Sequence, residues 1–544
     1  MKNEFLGKEI SGPFTIPSGI VTCSTNIIRR FFELVPEVGV LTTKSIGPEP
    51  RKGYREPILT QYEPGSFTNA VGLTNPGVSR SAQLLAELSI PRNRFLLISI
   101  FGASIEEYVD VAKQLAPHGD GLELNLSCPH AKGLGMAMGQ DPALVEEIVS
   151  SVKAAVNVPV VAKLTPNVPD IGVIAEAAEK GGADAICAIN TMGPEQYDSH
   201  GFPILSNKKG GVSGKGIMSA ALEGVSRIRE AVRCPIIACG GISGANDVRQ
   251  FLQSGASVFG IGSALVGMTT AEIATYFQVL TKDLENQTDE SENLIRYDID
   301  MEFRPVKLVK NERITEDICI LTFDRKVEIQ AGQFVFLWIP GLGEKPFSAL
   351  VDDPFKLAVI NLGSFTDELM TLEPGTEAYV RGPHGNPVEP PNNSRIIAVA
   401  GGTGLAAVYQ LARDFGNTDI YFGARSKDRL YFLEESTDVS NLHISTDDGS
   451  YGAKGLITEL LKRNLEQMPL EERESLVFYN CGPAPMVRAA EELQRKYVHP
   501  NRIHNAIDYL TKCGVGICGA CDSPDGRRLC VDGPFLDAAD AATI

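Results

Sequence analysis

PIIACGGISGANDVRQFLQSGASVFGIGS, residues 235–263, reads as one pattern met twice. An apolar run, PIIACGG (235–241), ends on two glycines; after a helix-like stretch a second run, SVFGIGS (257–263), ends on another glycine turn. Strands with no polar alternation are buried on both faces, as in a parallel sheet covered by helices. The pattern extends back along the chain through GVLTTKS (39–45), RFLLISIFG (94–102), GLELNLS (121–127), VPVVAKL (158–164) and DAICAIN (184–190). Helix-like stretches such as DPALVEEIVSSVKAAV and IGVIAEAAEKGG fall between them. About eight such units in roughly 280 residues predict a (β/α)8 TIM barrel. A doubly wound sheet is the alternative. It wants a glycine fingerprint after the first strand, and TIPSGIVTC (15–23) is not one.

The whole chain has 544 residues, too many for one core. Its formal net charge of -18 repels phosphate backbones, so no nucleic-acid partner is expected. No apolar run reaches the ~18 residues of a membrane span. The first residues, MKNEFLGKEISGPF, lack the apolar centre of a signal peptide. A cytoplasmic, reducing location and no membrane attachment are the expectation. Seven of the eleven cysteines are scattered, as small buried hydrophobes are.

In a barrel the chemistry gathers where strands end. Those ends carry Lys44, Asn125 to Cys128, Lys163, Asn190–Thr191, Gly240–Gly241 and Gly262–Ser263. The last two pairs follow the seventh and eighth strands, the usual barrel phosphate site. With two strand-end lysines, they point to a phosphate-bearing cofactor. Asn69, Asn125 and Asn190 can each donate and accept, which suits a small planar amide-rich ligand; each alone is as well explained as a turn cap. Cys128 sits at a strand end, before a proline and a glycine-rich loop, where a thiol near pKa 8.5 can serve as a base; the plainer reading is a buried thiol.

SGI (18–20), TTKSIG (42–47), TNAVGLTNPG (68–77), ELNLSCPH (123–130), AKLTPN (162–167), INTMGP (189–194), NKKGGVSG (207–214), ACGGIS (238–243) and FGIGSAL (259–265) resemble, in order, the dihydroorotate dehydrogenase family. The likeness is strongest to its NAD-linked, cysteine-base branch (class 1B), which pairs with an iron–sulfur flavoprotein subunit. The resemblance implies FMN at the barrel mouth. Ser18, Gly19, Lys44, Asn125, Lys163, Gly214, Gly240, Gly241, Gly262 and Ser263 fall on the FMN motifs. Asn69, Gly72, Leu73, Asn125, Asn190 and Thr191 fall on those that hold the pyrimidine, and Cys128 on the catalytic base. The family commonly has asparagine where this chain has His130, a position that touches the substrate. SCPH with GMAMGQDP also resembles the pyrimidine-reducing domain of dihydropyrimidine dehydrogenase, while archaeal-type members of the first family carry SCPH too.

The acidic stretch 281–300 reads as a linker. Beyond it short β-rich runs, DICILTFD, GQFVFLWIP, FKLAVINLG and TEAYVRGPHG, predict an antiparallel β-barrel over 301–395. RIIAVAGGTGLAAVYQLARDFG then opens an α/β nucleotide-binding domain over 396–505. KPFSAL, GSFTDEL, RGPHGN, AGGTG and YNCGPAPM resemble the ferredoxin–NADP reductase superfamily, a likeness that spans about 301–540 once the C-terminal cysteine loop is included. That implies FAD at Lys345, Pro346, Phe347, Ser348, Gly363 and Thr366, and NAD at Gly401, Gly402, Thr403, Cys481 and Gly482. Lys345 stands where most members have arginine, which keeps the charge and loses the fork. Cys481 serves equally well as core packing, and His384 reads as a surface turn residue.

CGVGICGACDSPDGRRLC (513–530) spaces Cys513, Cys518, Cys521 and Cys530 as C-x4-C-x2-C-x8-C within a last region, 506–544. A zinc site usually shows two separated C-x2-C knuckles, and disulfides are disfavoured by the expected compartment. The plant-type [2Fe–2S] loop has the C-x4-C-x2-C spacing. Gly514, Gly516 and Gly519 would let backbone N–H groups turn toward sulfur.

Joined, the two resemblances imply one chain that oxidises dihydroorotate to orotate for pyrimidine biosynthesis. Electrons would pass from FMN through [2Fe–2S] and FAD to NAD+, and a homodimer through residues 1–280 is expected. A dihydropyrimidine dehydrogenase-type enzyme is the alternative. An electron-transfer module with an inactive barrel is a third reading, against which Cys128, Lys163 and Asn190 stand.

Overall fold

The computed structural model describes residues 3–127, 138–297, 299–507 and 510–539. The chain forms two compact units, Met1–Ile299 with Val515–Asp522, and Asp300–Gly514 with Ser523–Ile544. No helix among the described residues is long and apolar enough to cross a membrane.

The first unit is the expected barrel. Its strands are β1 (Phe14–Ile16), β2 (Val40–Thr42), β3 (Phe95–Ile100), β4 (Gly121–Asn125), β5 (Val160–Lys163), β6 (Ala185–Ala188), β7 (Ile236–Cys239) and β8 (Val258–Gly260). Each pairs in parallel with the next, and β8 closes on β1. Both faces of the strands are buried, which is why the sequence shows apolar runs and no alternation. Val40, Phe95, Leu97, Val161, Ala185, Ile237 and Val258 fill the interior with Phe5 and Ile10 from an N-terminal hairpin. Phe5 meets Phe95 edge-on at 5.1 Å, which puts the hairpin at the start of β3, opposite the strands' C-terminal ends. Toward those ends the inward positions turn polar: Thr15, Thr42, Ser99, Glu123 and Lys163 are all buried. A four-stranded antiparallel sheet, in the order 192–195, 210–214, 66–69 and 59–63, grows from the loops after β2 and β6.

The stretch expected as a linker is instead part of the first unit. A helix, Thr270–Asn286, runs into it behind a Thr269–Glu272 capping box. Beyond the helix, the Ser291 N–H donates back to Asp283 in its last turn, and the Tyr297 carbonyl accepts from Gln61 and Gly65. An acidic composition marks solvent contact on one side of a segment; it does not report the contacts on the other.

The second unit begins with β9 (Arg304–Arg313), β10 (Ile318–Phe323), β11 (Phe334–Ile339), β12 (Gly343–Phe347), β13 (Val351–Asp352), β14 (Phe355–Ile360) and β15 (Glu377–His384). They form an antiparallel sheet in the order β12-β11-β15-β9-β10-β14-β13, with β12 at one edge. A second sheet follows, built from β16 (Arg395–Gly401), β17 (Thr418–Ala424), β18 (Asn441–Thr446), β19 (Ala453–Lys454), β20 (Leu476–Gly482), β21 (Ile503–Ile507) and β22 (Leu536–Asp537). Its order is β19-β18-β17-β16-β20-β21-β22, parallel except for the last pair. The chain leaves β16 for β17 on one side and returns as β20 on the other. The topological switch point therefore lies between the ends of β16 and β20, where open α/β sheets bind ligands.

Candidate functional site

At the C-terminal mouth of the barrel a chain of hydrogen bonds joins residues from five loops and strands. Ser18 Oγ lies 3.1 Å from Ser45 Oγ, which lies 2.9 Å from Ser99 Oγ. Asn125 Nδ2 donates to Ser45 at 3.0 Å, and Asn190 Nδ2 reaches Asn125 Oδ1 at 3.5 Å. The Tyr108 hydroxyl holds the Asn125 carbonyl at 2.7 Å. Ser18, which the resemblance placed at FMN, is thus brought together with Asn125 and Asn190, which were read at strand ends. Ser45, which links Ser18 to Asn125, and Ser99, which braces Ser45, escaped the sequence reading; the signal was a hydroxyl inside an otherwise apolar run.

Asn69 and Thr191 meet around Gly211. Asn69 Nδ2 donates to the Gly211 carbonyl at 3.3 Å, and a Cβ on Gly211 would stand 2.2 Å from Thr191 Oγ1. Asn167 braces this loop, donating to the Thr191 carbonyl at 3.3 Å and accepting from Gly193 N–H at 3.1 Å. The turn holding Gly72 (φ +81°) and Leu73 (φ +55°) is tied by Asn75, which donates to the Leu73 carbonyl and accepts from Gly77 N–H. Asn75 and Asn167 were legible only as motif letters. Cys128 and His130 lie outside the described residues.

Lys163 is buried, with Glu123 Oε1 3.6 Å from its Nζ. That is ion-pair range, beyond a hydrogen bond, and Glu123 Oε1 has no hydrogen-bond partner. The thiols of Cys187 and Cys239, 3.8 Å apart, face the same space. Burial works against the Lys163 charge, but Glu123 and then the two thiols outweigh it and hold the ammonium well above the usual lysine range. Lys44 is half-buried, and among the described residues no carboxylate is in ion-pair range of it. Its Nζ stands 3.7 Å from where a Gly19 Cβ would lie.

The glycine turns after β7 and β8, read from sequence as a phosphate site, are built differently from each other. Gly241 has φ +83°, and a Cβ there would sit 2.7 Å from Met218 Cβ and 2.9 Å from the Gly214 carbonyl. Only glycine fits. A Cβ on Gly262 would touch nothing closer than 3.7 Å, so the backbone is open to an approaching group. The next helix, Ala245–Gln253, is self-capped: Asp247 Oδ2 accepts from Ser243 N–H and Oγ, both at 2.9 Å, and pairs with Lys215 at 2.7 Å. An anion at this end of the barrel is therefore left the two glycine turns.

Residues 1–280 match the dihydroorotate dehydrogenase family. The chain belongs to that family. It is 44% identical over 264 residues to dihydroorotate dehydrogenase B (NAD(+)), catalytic subunit, of Pyrococcus horikoshii, covering 48% of this chain and 85% of that one. The proteins of the same name from Methanosarcina acetivorans and Methanocaldococcus jannaschii are 41% and 39% identical, over 83% and 87% of their lengths. Residues 398–492 match an oxidoreductase NAD-binding domain. A solved structure of an NADH-dependent reduced ferredoxin–NADP oxidoreductase aligns at TM-score 0.39 and 26% identity, over 43% of this chain and 88% of its own, too low a score to weigh for the fold. The protein is a flavin-type oxidoreductase with an N-terminal dihydroorotate dehydrogenase barrel, followed later in the chain by an NAD-binding domain.

FMN, which the family implies, fits the mouth. Two cations, an amide and hydroxyl network, and glycine turns with room beside them suit a planar anion. In the second unit Gly401 and Gly482 flank the switch point. A Cβ on Gly482 would stand 2.8 Å from the Gly401 carbonyl, and one on Gly404 would stand 2.1 Å from the Cys481 carbonyl. Thr403 precedes the helix Gly404–Phe415 without a side-chain cap, leaving that N-terminus for a phosphate. Lys345, Pro346 and Phe347 lie on the edge strand β12, partly exposed. Gly363 has open space around it, and Thr366 Oγ1 accepts from the N–H groups of Leu362 and Gly363 at 2.8 and 3.1 Å.

Cys513, Cys518, Cys521 and Cys530 are all buried. Among the described residues no three Cys, His, Asp or Glu side chains converge as donors for one ion. A [2Fe–2S] set asks for two thiolates on each iron, and four buried cysteines supply that number. Residues 515–522 are tied into the first unit by Val21 N–H to the Ile517 carbonyl and Gly267 N–H to the Val515 carbonyl, at 2.8 and 2.9 Å. His384 corrects its reading as a surface turn residue. It is 7% exposed at the end of β15, between Phe334 and Phe336. Burial first, then the Arg381 charge, push its pKa well down.

Proposed function

We propose that the protein oxidises dihydroorotate to orotate in the cytoplasm and delivers the electrons to NAD+. The observation that carries this is the joined set Ser18–Ser45–Asn125–Asn190 above a charged Lys163 at the mouth of a family barrel. The NAD(+)-linked names of its relatives and the NAD-binding match in the second half support the acceptor. FMN held by the barrel, FAD held around Lys345–Ser348, Gly363 and Thr366, and a [2Fe–2S] cluster on the four cysteines would supply hydride acceptance and one-electron transfer when bound.

The chain's own residues do the rest. Asn69, Asn125, Asn190 and Thr191 present amides and a hydroxyl to a pyrimidine ring, and the turn at Gly72–Leu73 closes beside them. Their network fixes each amide's orientation before substrate arrives, so little ordering is left for the reaction. Cys128 takes the C5 proton of dihydroorotate, with His130 at the ring. Lys44 and Lys163 hold positive charge where an anion binds, and because Lys163 stays protonated through the neutral range, it needs no proton transfer to do so. Gly401, Gly402, Thr403 and the Cys481–Gly482 turn receive the nicotinamide nucleotide at the switch point. The domain reading of 1–280, 301–395, 396–505 and 506–544 and a homodimer through the barrel belong to this proposal.

The test is anaerobic NAD+ reduction by cofactor-replete protein, with dihydroorotate in one cuvette and dihydrouracil in another. Turnover with dihydroorotate is expected. Turnover with dihydrouracil alone would overturn it and make the His130 loop the mark of a different pocket. Replacing Cys128 with alanine should cost about 100- to 10,000-fold in substrate oxidation while NADH-to-dye activity persists.

A further inference from the structure

Arg381 is buried in the second unit with four of its N–H groups engaged. Nε and one terminal nitrogen donate to the two oxygens of Glu344, at 2.9 and 3.0 Å. The other terminal nitrogen lies 3.1 Å from His384 Nε2 and donates to the Cys513 carbonyl at 3.0 Å. Arginine has no acceptor, so Nε2 accepts and His384 carries its proton on Nδ1. The Phe336 ring lies under the guanidinium, 4.3 Å from its carbon. Gly514, at φ +81°, is laid on the same platform: a Cβ there would stand 2.7 Å from Phe336 and 3.3 Å from both Arg381 and His384.

The same strand end grips the far side of the cysteine loop. Asn386 N–H donates to the Gly533 carbonyl at 2.7 Å, and its Nδ2 to the Val531 carbonyl, next to Cys530, at 2.8 Å. Gly385 packs under Pro534. One turn, RGPHGN (381–386), thus takes hold of the chain beside the first and the fourth cysteine of the set.

We propose that Arg381, locked by Glu344, is a positioning residue for the iron–sulfur loop, fixing the Cys513–Gly514 peptide and turning positive charge toward the first cysteine. Holding the carbonyl on the guanidinium side turns the Gly514 N–H, trans in the same plane, to the other side. Glu344 sits on the far edge of the fork, so the pair presents its positive end to Cys513. Charge and hydrogen bonding around the ligands are what set such a cluster's potential, and residues behind the ligands tune it. The proposal rests on the reading that the four cysteines hold a [2Fe–2S] cluster.

The experiment is an EPR-monitored redox titration of the purified full chain, with iron, sulfide and flavin counted. The variants are E344Q, which leaves Arg381 uncompensated, and R381M/E344Q, which leaves no buried charge stranded. The expected result is an upward shift in cluster potential for E344Q and a downward shift with an altered EPR line shape for R381M/E344Q. Flavin content should stay at the wild-type level. Should E344Q not fold, the neutral pair decides alone. Potentials and line shapes equal to wild type overturn the proposal. So does loss of flavin together with the cluster, which marks a purely structural role. A wild-type chain lacking iron and sulfide overturns the cluster reading itself, and this proposal with it.

Discussion

Lys163 in the barrel and Arg381 in the second unit are both buried beside a glutamate, and the two pairs are built differently. Arg381 meets Glu344 through a two-pronged fork, and its other edge is used on His384 and the Cys513 carbonyl. Lys163 faces Glu123 at 3.6 Å, with a glutamate oxygen left without a hydrogen-bond partner. A saturated pair holds a backbone in place. A loose pair keeps a cation charged and leaves it free to act on something else. The difference follows from side-chain type: the planar fork suits permanent pairing, and the single ammonium suits a charge that must reach a ligand.

The largest effect should come from breaking the saturated pair. E344Q strands a buried guanidinium and should cost the second unit about 3–5 kcal/mol. Trp338, paired in register with Glu344, is the chain's one tryptophan, so urea unfolding followed by its fluorescence reads this unit. K163M should leave that transition unmoved and slow flavin bleaching by dihydroorotate about 100- to 1,000-fold. Equal behaviour of the two variants in both measurements would erase the distinction. E123Q sharpens it through pH. With its pKa raised, Lys163 contributes stability in full below the ordinary lysine value of about 10.4, lost only as pH climbs through its higher folded value. No Lys163-linked change is expected near neutrality in the wild type. Without Glu123, burial dominates and lowers that pKa, so the rate profile should gain an alkaline fall at lower pH than in the wild type. Least of all, N167A removes a brace one step from the site; KM should rise about two- to ten-fold, as for one lost hydrogen bond of about 0.5–1.5 kcal/mol.

The barrel was legible because strands such as FLLISI are buried on both faces, about eight of them recur, and the glycine fingerprint of a doubly wound sheet is missing after the first. Strand ends then located Lys44, Asn125, Lys163, Asn190 and the glycine turns. What stayed hidden depends on register. Glu123 stands on β4 beside Val161 of β5, and Arg381 faces Phe336 across two strands; neither pairing can be read from spacing. Glu123 had a signal all the same, a lone carboxylate in an apolar strand, which burial rules say must find a cation. Tyr297 and Ser291 show the opposite case. Their surroundings read as solvated chain, while their backbone is held by the barrel.

β12 is an edge strand of its sheet, partly exposed over Lys345–Phe347, where another molecule's strand could add. Pro346 brings no N–H to that strand, and Lys345, Pro346 and Phe347 are among the residues assigned to FAD. A flavin seated there would act as a shield against self-association. Protein stripped of flavin should then be recognised in storage by turbidity, well before any loss of secondary structure.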